Sequence, residues 1–193
     1  MTDNANTERG FVEGEHIVLR PVLEKDLEQL APLMAQNPCE RKPTPWTLQR
    51  LKKKFEDEKD PGLWSSGEKY YVAVRRAGGV VGFLIQRGQN RVYWTTVHVD
   101  DNIADRDAVG IDLLKAYESL MMDWHDPVRI GCEIIEPEAA KAGWLKDCGY
   151  ELEVVFERMQ MWLGEPVAVH HYGWIAPAYR ELAEQQRREF AGQ

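Results

Sequence analysis

Two side chains near the middle of the sequence could act as proton acceptors, and each lies in an apolar segment. His98 stands in Val97-His98-Val99, and Glu133 stands in Gly131-Cys132-Glu133-Ile134. Imidazole changes its charge close to neutral pH, and a carboxylate among apolar residues requires a partner or a solvent-lined cleft. Both residue types can serve as general bases. His98 equally suits a structural role, as a histidine on the half-buried face of a strand.

A second candidate site is the loop before the longest amphipathic helix. Apolar residues recur at offsets of three and four from Leu113 to Trp124, which predicts one buried helical face. The loop Asp105-Arg106-Asp107-Ala108-Val109-Gly110 then lies at the N-terminus of this helix. Free backbone N–H groups and the helix dipole make such an end an anion site. Alternatively, Asp105 caps the helix and accepts those N–H groups itself.

The acidity of this loop works against an anion. Four carboxylates surround it, at Asp100, Asp101, Asp105 and Asp107, and Arg106 is its one cation. Two like charges about 4 Å apart repel by roughly 1 kcal/mol in water and by several times more at lower dielectric. A helix N-terminus stabilises an exposed anion by only about 0.3–1 kcal/mol. An anion therefore binds here only if the carboxylates point away and Arg106 points inward.

The rest of the chain reads as strands and helices in mixed order. Strands are expected at residues 16–20, 70–76, 80–86, 92–99, 128–134, 151–156 and 158–163. Helices are expected at residues 24–36 and 138–148, and two more are expected to begin at Thr47 and after Gly110. Pro32 predicts a kink or an early end in the first helix. The segments 38–45 and 60–68 are expected loops.

The strands between residues 70 and 99 are joined through short glycine-containing turns, which predicts an antiparallel meander. The strand at 128–134 follows a helical crossover and is therefore predicted to run parallel to its predecessor. The polar segment 1–10 is expected to be a disordered tail, and the charged segment 177–193 a helical tail. An α+β domain with a mixed sheet covered by helices accommodates this order.

Composition narrows the function classes. The 193 residues are 44% hydrophobic and 29% charged, with no apolar run of membrane-spanning length and no signal segment, which favours a cytoplasmic globular protein. A net charge of −8 disfavours nucleic acid as a partner. It suits an amine or a basic peptide, although acidic surfaces also serve solubility. The scattered cysteines Cys39, Cys132 and Cys148 predict reduced, buried thiols, and no metal site is expected.

Several short motifs follow one another between residues 12 and 175. They are Gly14–Val22 followed by Asp26 and Leu27, Gly149-Tyr150 followed by Glu153 and Arg158, and Tyr172-Gly173. In their order and spacing these motifs resemble the GNAT superfamily of acyl-CoA-dependent N-acetyltransferases. They are most similar to its Rim-type branch, whose members acetylate ribosomal proteins.

The resemblance implies an α+β fold with a GNAT-like mixed, mostly antiparallel sheet of six to seven strands covered by helices on both faces. It implies a single acyltransferase domain at residues 11–176, either monomeric or homodimeric. It also implies transfer of an acetyl group from acetyl-CoA to a primary amine by direct attack. The amine would belong to a small molecule or a protein N-terminus.

The resemblance also implies a site. The family's pyrophosphate loop is a Gln or Arg, two residues, a Gly, one residue, and a Gly or Ala. It falls on Asp105, Ala108 and Gly110. The implied contacts to coenzyme A are Val97, Val99, Arg106, Asp107, Ala108, Val109, Gly110 and Ile111. The resemblance places His98 beside the thioester as a base, and Glu133 on the next strand is a candidate base acting through water. The implied cleft is opened by splaying of the strands at 92–99 and 128–134.

Three positions depart from the family pattern. Leu145 stands where members often place an acid tyrosine, and Glu136 or Glu138 stands where an asparagine contacts the coenzyme. Cys148 is a possible substitute acid, although it also fits a small core residue. With the acidic loop, these departures favour an alternative function. In that alternative the chain is a GNAT-fold binding or assembly module with lost or altered use of coenzyme A.

Overall fold

The computed structural model describes residues 12–36, 46–57 and 68–191. The predicted tail at 1–10, the loop at 38–45, most of the loop at 60–68, and Cys39 lie outside these residues. The strands are β1 Val12–Glu13, β2 Val18–Pro21, β3 Lys69–Val74, β4 Val80–Gln89, β5 Val92–Val99, β6 Arg129–Ile135, β7 Glu151–Trp162 and β8 Glu165–Ile175. The helices are α1 Leu27–Gln36, α2 Leu48–Asp57, α3 Arg106–His125, α4 Lys141–Asp147 and α5 Pro177–Ala191.

One sheet holds the strands together, in the order β1-β2-β3-β4-β5-β6-β8-β7. β5 and β6 are parallel, and every other neighbouring pair is antiparallel. The mixed, mostly antiparallel sheet is therefore confirmed, with eight strands in the described part of the chain rather than six or seven. The meander at β3, β4 and β5 and the parallel return at β6 are confirmed as well.

The C-terminal strands differ most from the prediction. The segments predicted as two strands, 151–156 and 158–163, form the single long strand β7, with register shifts against β8. β8 was not predicted, because Pro166 and the adjacent histidines His170 and His171 weaken its alternating pattern. Its position between β6 and β7 makes it a central strand of this half of the sheet.

Helices cover both faces of the sheet, as expected. One buried cluster lies beneath α3 and α4 and includes Leu113, Tyr117 and Trp144. The other lies beneath α1 and α2 and includes Leu30 and Phe83. Both cysteines in the described chain, Cys132 and Cys148, are free and buried, as predicted. None of the described helices is long and apolar enough to cross a membrane.

Trp124 corrects the sequence prediction for α3. The apolar stripe of this helix is buried as predicted from Leu113 to Met121, but Trp124, in the last turn, is 64% exposed. α1 ends at Gln36 as predicted and continues through Pro32, so of the kink and the early end expected at this proline, the early end does not occur. At α2 the expected cap is present, since the backbone N–H of Arg50 donates to the Thr47 hydroxyl at 3.2 Å.

Asp112 fastens the N-terminal segment to α3. Its carboxylate accepts the backbone N–H groups of Glu15, His16 and Ile17 at 3.0, 2.7 and 3.0 Å. A Cβ atom on Gly14 would lie 2.4 Å from this carboxylate, so only glycine fits at that position. Three donors on one carboxylate hold the turn between β1 and β2 against the first half of α3.

We expect Asp112→Ala to lower the free energy of unfolding by about 2–4 kcal/mol, because it leaves three backbone donors without their acceptor. Urea denaturation checks this. Asp123→Ala, an exposed position on the same helix, is the matched control and should cost under about 0.5 kcal/mol. Equal losses in the two variants would contradict the role given to Asp112.

Glu118 of α3 gives the fold a pH dependence. Burial raises the pKa of this carboxyl to about 8, and the Lys115 ammonium opposes the shift. The folded state therefore holds a proton that the unfolded chain releases in the acid range. The stabilisation by the protonated form is complete below the ordinary glutamate pKa and is lost as pH rises through about 8.

Glu118→Gln should therefore remove this fall in the free energy of unfolding at high pH. We expect the variant to match the parent protein near pH 4 and to exceed its free energy of unfolding by up to about 5 kcal/mol at pH 9. Denaturation curves across this pH range provide the measurement. Parallel pH profiles for parent and variant would show that Glu118 is ionised in the folded protein.

Candidate functional site

The central feature of the site is a gap between the two parallel strands. β5 and β6 pair from Val92–Arg129 to Thr95–Cys132, and there the pairing stops. β5 continues to Val99 along β4, and β6 continues to Ile135 along β8. Residues 96–99 of β5 therefore present a backbone edge that β6 does not cover. The cleft expected between these strands lies at this gap.

Lys141, at the start of α4, enters the gap. Its Nζ donates to the Val97 carbonyl at 3.0 Å and also pairs with the Glu138 carboxylate. The Lys141 side chain is 1% exposed and that of Glu138 is 7% exposed. Nothing in the sequence around Lys141 indicates this position, because one lysine in a short charged helix is typical of a solvent-facing residue. In the structure it satisfies a backbone acceptor at the edge of β5.

The N-terminus of α3 is open. Asp105 occupies the N-cap position but makes no side-chain capping hydrogen bond. Its carboxylate instead accepts a hydrogen bond from Arg75 at 2.5 Å, and this bond lowers the pKa of Asp105. The capping alternative is therefore wrong. Among the described residues no side chain caps the first turn of α3, which contains Arg106, Asp107 and Ala108.

The other carboxylates of the loop also have partners. Asp100 accepts from the backbone and side-chain amides of Asn102, at 3.0 and 2.9 Å. Asp101 pairs with Arg106 at 2.7 Å. Asp107 accepts the indole N–H of Trp144 at 2.7 Å. Arg75 and Arg106 thus neutralise two of the four charges. The loop therefore repels an anion less strongly than its composition indicates.

Trp144 of α4 explains Gly110. A Cβ atom on Gly110 would lie 2.4 Å from the Trp144 ring, so α3 and α4 approach closely only at a glycine. The Arg106 guanidinium lies 5.2 Å from the centroid of the same ring. Gly110 therefore has a packing role that is independent of any phosphate, and Arg106 is held between Asp101 and Trp144.

His98 is buried. It is 1% exposed and packs on Phe83, with the ring centroids 5.4 Å apart. Burial, together with the nearby cations of Lys141 and Arg106, lowers its pKa to about 3. Neither ring nitrogen has a hydrogen-bond partner within the described residues. The imidazole is therefore neutral near pH 7. A buried, neutral ring fits the structural role that the sequence also allows for His98.

Glu133 is more accessible. Its side chain is 32% exposed, and Oε1 lies 3.3 Å from His171 Nε2, a close approach without hydrogen-bond geometry. The rings of Trp94 and Phe156 lie edge-on to His171, with centroids 5.2 and 4.9 Å from it. His170 and His171 lie on β8, where His171 stands opposite Glu133 in register.

The structure brings only some of the residues implied as coenzyme A contacts to positions where they could touch a ligand. The side chains of Val97 and Val99 are buried beneath α3, so at the gap these residues offer backbone groups. Residues 106–111 form the first turns of α3, as predicted. Val109 and Gly110 are buried there, and Ile111 packs against the core. Only the backbone of the first turn and the Arg106 side chain remain for contact with an anion.

Comparison with known proteins identifies the fold. No family model matches the sequence, and no curated protein matches it either. A putative acetyltransferase from Sphaerobacter thermophilus is a structural match at 19% identity and a TM-score of 0.62, covering 88% of this chain and 99% of that one. Spermidine N-acetyltransferase from Vibrio cholerae, solved with CoA and spermine, matches at 12% identity and a TM-score of 0.72, covering 85% and 98%.

A ribosomal-protein-alanine N-acetyltransferase from Brucella melitensis is a third structural match, at 19% identity and a TM-score of 0.64, covering 82% of this chain and 99% of that one. At these identities the likeness establishes the fold. The chain thus has the fold of the GNAT acetyltransferases, as the sequence motifs predicted.

Proposed function

We propose that this protein is an N-acetyltransferase that transfers an acetyl group from acetyl-CoA to a primary amine. The observation that carries the proposal is the gap between β5 and β6 beside the uncapped N-terminus of α3. A backbone edge and a set of free amide donors lie together on a fold shared with acetyltransferases. Acetyl-CoA would supply an activated acyl carbon, which needs no further activation by metal or nucleophile.

The chain's own groups divide the work of binding. The amide donors of Arg106, Asp107 and Ala108 suit the phosphates, since the carboxylates around them are already bound to partners. The backbone of Val97 and Val99 suits an extended amide-containing chain lying along the β5 edge. Lys141 would have to release the Val97 carbonyl for such a chain to use it.

Glu133 is our proposed base for the incoming ammonium. It lies one residue beyond the last β5–β6 pair, and its carboxylate is partly exposed beside His171. His98 suits the role less well, because a base with a pKa of about 3 takes a proton from an ammonium group poorly. The net charge of −8 favours a cationic acceptor, either a small amine or a protein N-terminus as in the Rim-type branch. A cytoplasmic location fits both acceptors.

A second function is favoured by one observation, the insertion of Lys141 into the gap. If its bonds to Val97 and Glu138 hold against a ligand, the gap stays closed to an acyl chain. The chain would then be a GNAT-fold binding module without the usual use of coenzyme A. Binding of acetyl-CoA separates the two functions.

We expect saturable binding of acetyl-CoA in calorimetry, and we expect Arg106→Glu to weaken it at least about tenfold by placing a carboxylate beside the phosphates. Lys115→Glu, which changes an exposed cation on the same helix by the same charge, is the matched control. Equal weakening in both variants would indicate a general field effect. No saturable binding at millimolar ligand would favour the binding module.

Glu133→Gln should lower kcat about 10²–10⁴-fold with little change in KM for acetyl-CoA, because the isosteric amide cannot accept the proton. Steady-state assays with a polyamine or a basic peptide as acceptor measure this. Glu165→Gln, at an exposed position on β8, should leave kcat unchanged. Full activity in Glu133→Gln, together with its loss in a folded His98→Ala, would assign the base to His98.

A further inference from the structure

The free edge of the sheet at β7 is unusually long and apolar. β7 lies at one end of the sheet and pairs only with β8 within the described residues. Its 12 residues correspond to about 40 Å of strand. The opposite end of the sheet, β1, is only two residues long. Short edge strands protect a sheet from pairing with another chain, and long apolar ones invite it.

Most of the large exposed apolar side chains in the described chain gather on β7 and its turn. Seven of thirteen lie there: Leu152, Val154, Val155, Phe156, Met159, Met161 and Leu163, each 38–88% exposed. The first nine residues of β7 are all exposed. α5 approaches the start of the strand, where Arg180 lies 3.8 Å from the Glu151 carboxylate, and leaves these residues open to solvent. A concentration of apolar surface on this scale marks a site of association with another protein.

Two charged residues in the middle of β7 indicate which protein binds there. Glu157 and Arg158 are adjacent and exposed, and neither has an ion-pair partner among the described residues. The ladder to β8 passes from Phe156 directly to Gln160, and Arg158 has a φ of +53°. This bulge takes both charged residues out of the pairing with β8. Their side chains are therefore not engaged within their own sheet.

We infer that β7 is the contact surface of a two-fold homodimer, in which the β7 strands of two copies of this chain lie antiparallel. A two-fold axis near residues 157 and 158 brings Glu157 of each copy toward Arg158 of the other. Because the second β7 strand is identical and runs in the opposite direction, it places an arginine opposite Glu157 and a glutamate opposite Arg158. The apolar residues on either side of the bulge are buried by the same arrangement.

The position of the bulge favours contact through side chains over a continuous backbone ladder between the two β7 strands. Bulges interrupt regular edge pairing, so the strand on each side of Arg158 forms a separate arm. Val154 and Phe156 lie in one arm, and Met161 lies in the other. In an antiparallel pair the first arm of one copy meets the second arm of its partner, and apolar side chains then face apolar side chains across both halves.

Charge exchange tests the arrangement in solution. Sedimentation velocity across a concentration series should show a dimer of the parent protein. Glu157→Arg and Arg158→Glu should each raise the dimer dissociation constant at least about tenfold, because each sets like charges against each other. The double variant carrying both substitutions should return to within about threefold of the parent, since the reciprocal pairs are restored. Met159→Lys should weaken the dimer, and Met122→Lys, at an exposed apolar site on α3, should not.

The inference is overturned if the parent protein sediments as a monomer at several hundred micromolar, which would leave β7 without a second copy. It is also overturned if the single variants dimerise as tightly as the parent protein, or if the folded double variant fails to recover. Circular dichroism and melting curves confirm that each variant is folded. Neither residue has an ion pair within the described chain, so both substitutions should be tolerated.

Discussion

The end of the pairing between β5 and β6 is the constraint around which the site is built. Two parallel strands that separate after four residue pairs leave backbone groups on their facing edges, and buried backbone groups require partners. The strands separate because each continues along a different neighbour, β5 along β4 and β6 along β8. Lys141 then enters from α4 and satisfies the Val97 carbonyl. Lys141 in this gap fixes the position of α4. Trp144 of α4 in turn packs closely against α3.

Electrostatic compensation at the start of α3 shows why composition alone misjudges a loop. The carboxylates at Asp101 and Asp105 are balanced by Arg106 and by Arg75, and Arg75 lies in the turn directly after β3. A distant strand thereby removes a charge that is adjacent in sequence to the helix donors. It also draws the Asp105 side chain away from the capping position. One ion pair both lowers the local negative charge and leaves the amide groups open.

The sequence was most informative where period and turn chemistry agreed. The meander, the parallel return and the main helix follow from alternation, from glycine turns and from a repeated offset of three and four residues. The missed features depend on contacts between distant residues. β8 carries His171, whose neighbours are Glu133, Trp94 and Phe156, and Lys141 is buried only because two strands separate. The exposure of Trp124 likewise depends on which neighbours the last turn of α3 meets, and helical period does not encode this.

The bond network at Asp112 bears on the order in which the chain folds. Its carboxylate holds residues that lie 95–97 positions earlier in the sequence. Closing a contact of that separation carries a loop entropy that only already formed structure can offset, so this contact forms late. During synthesis, residues 15–17 leave the ribosome 95–97 positions before Asp112 and wait for it as their acceptor. This turn is thus among the last parts of the described chain to be fixed, and thermal unfolding should begin there.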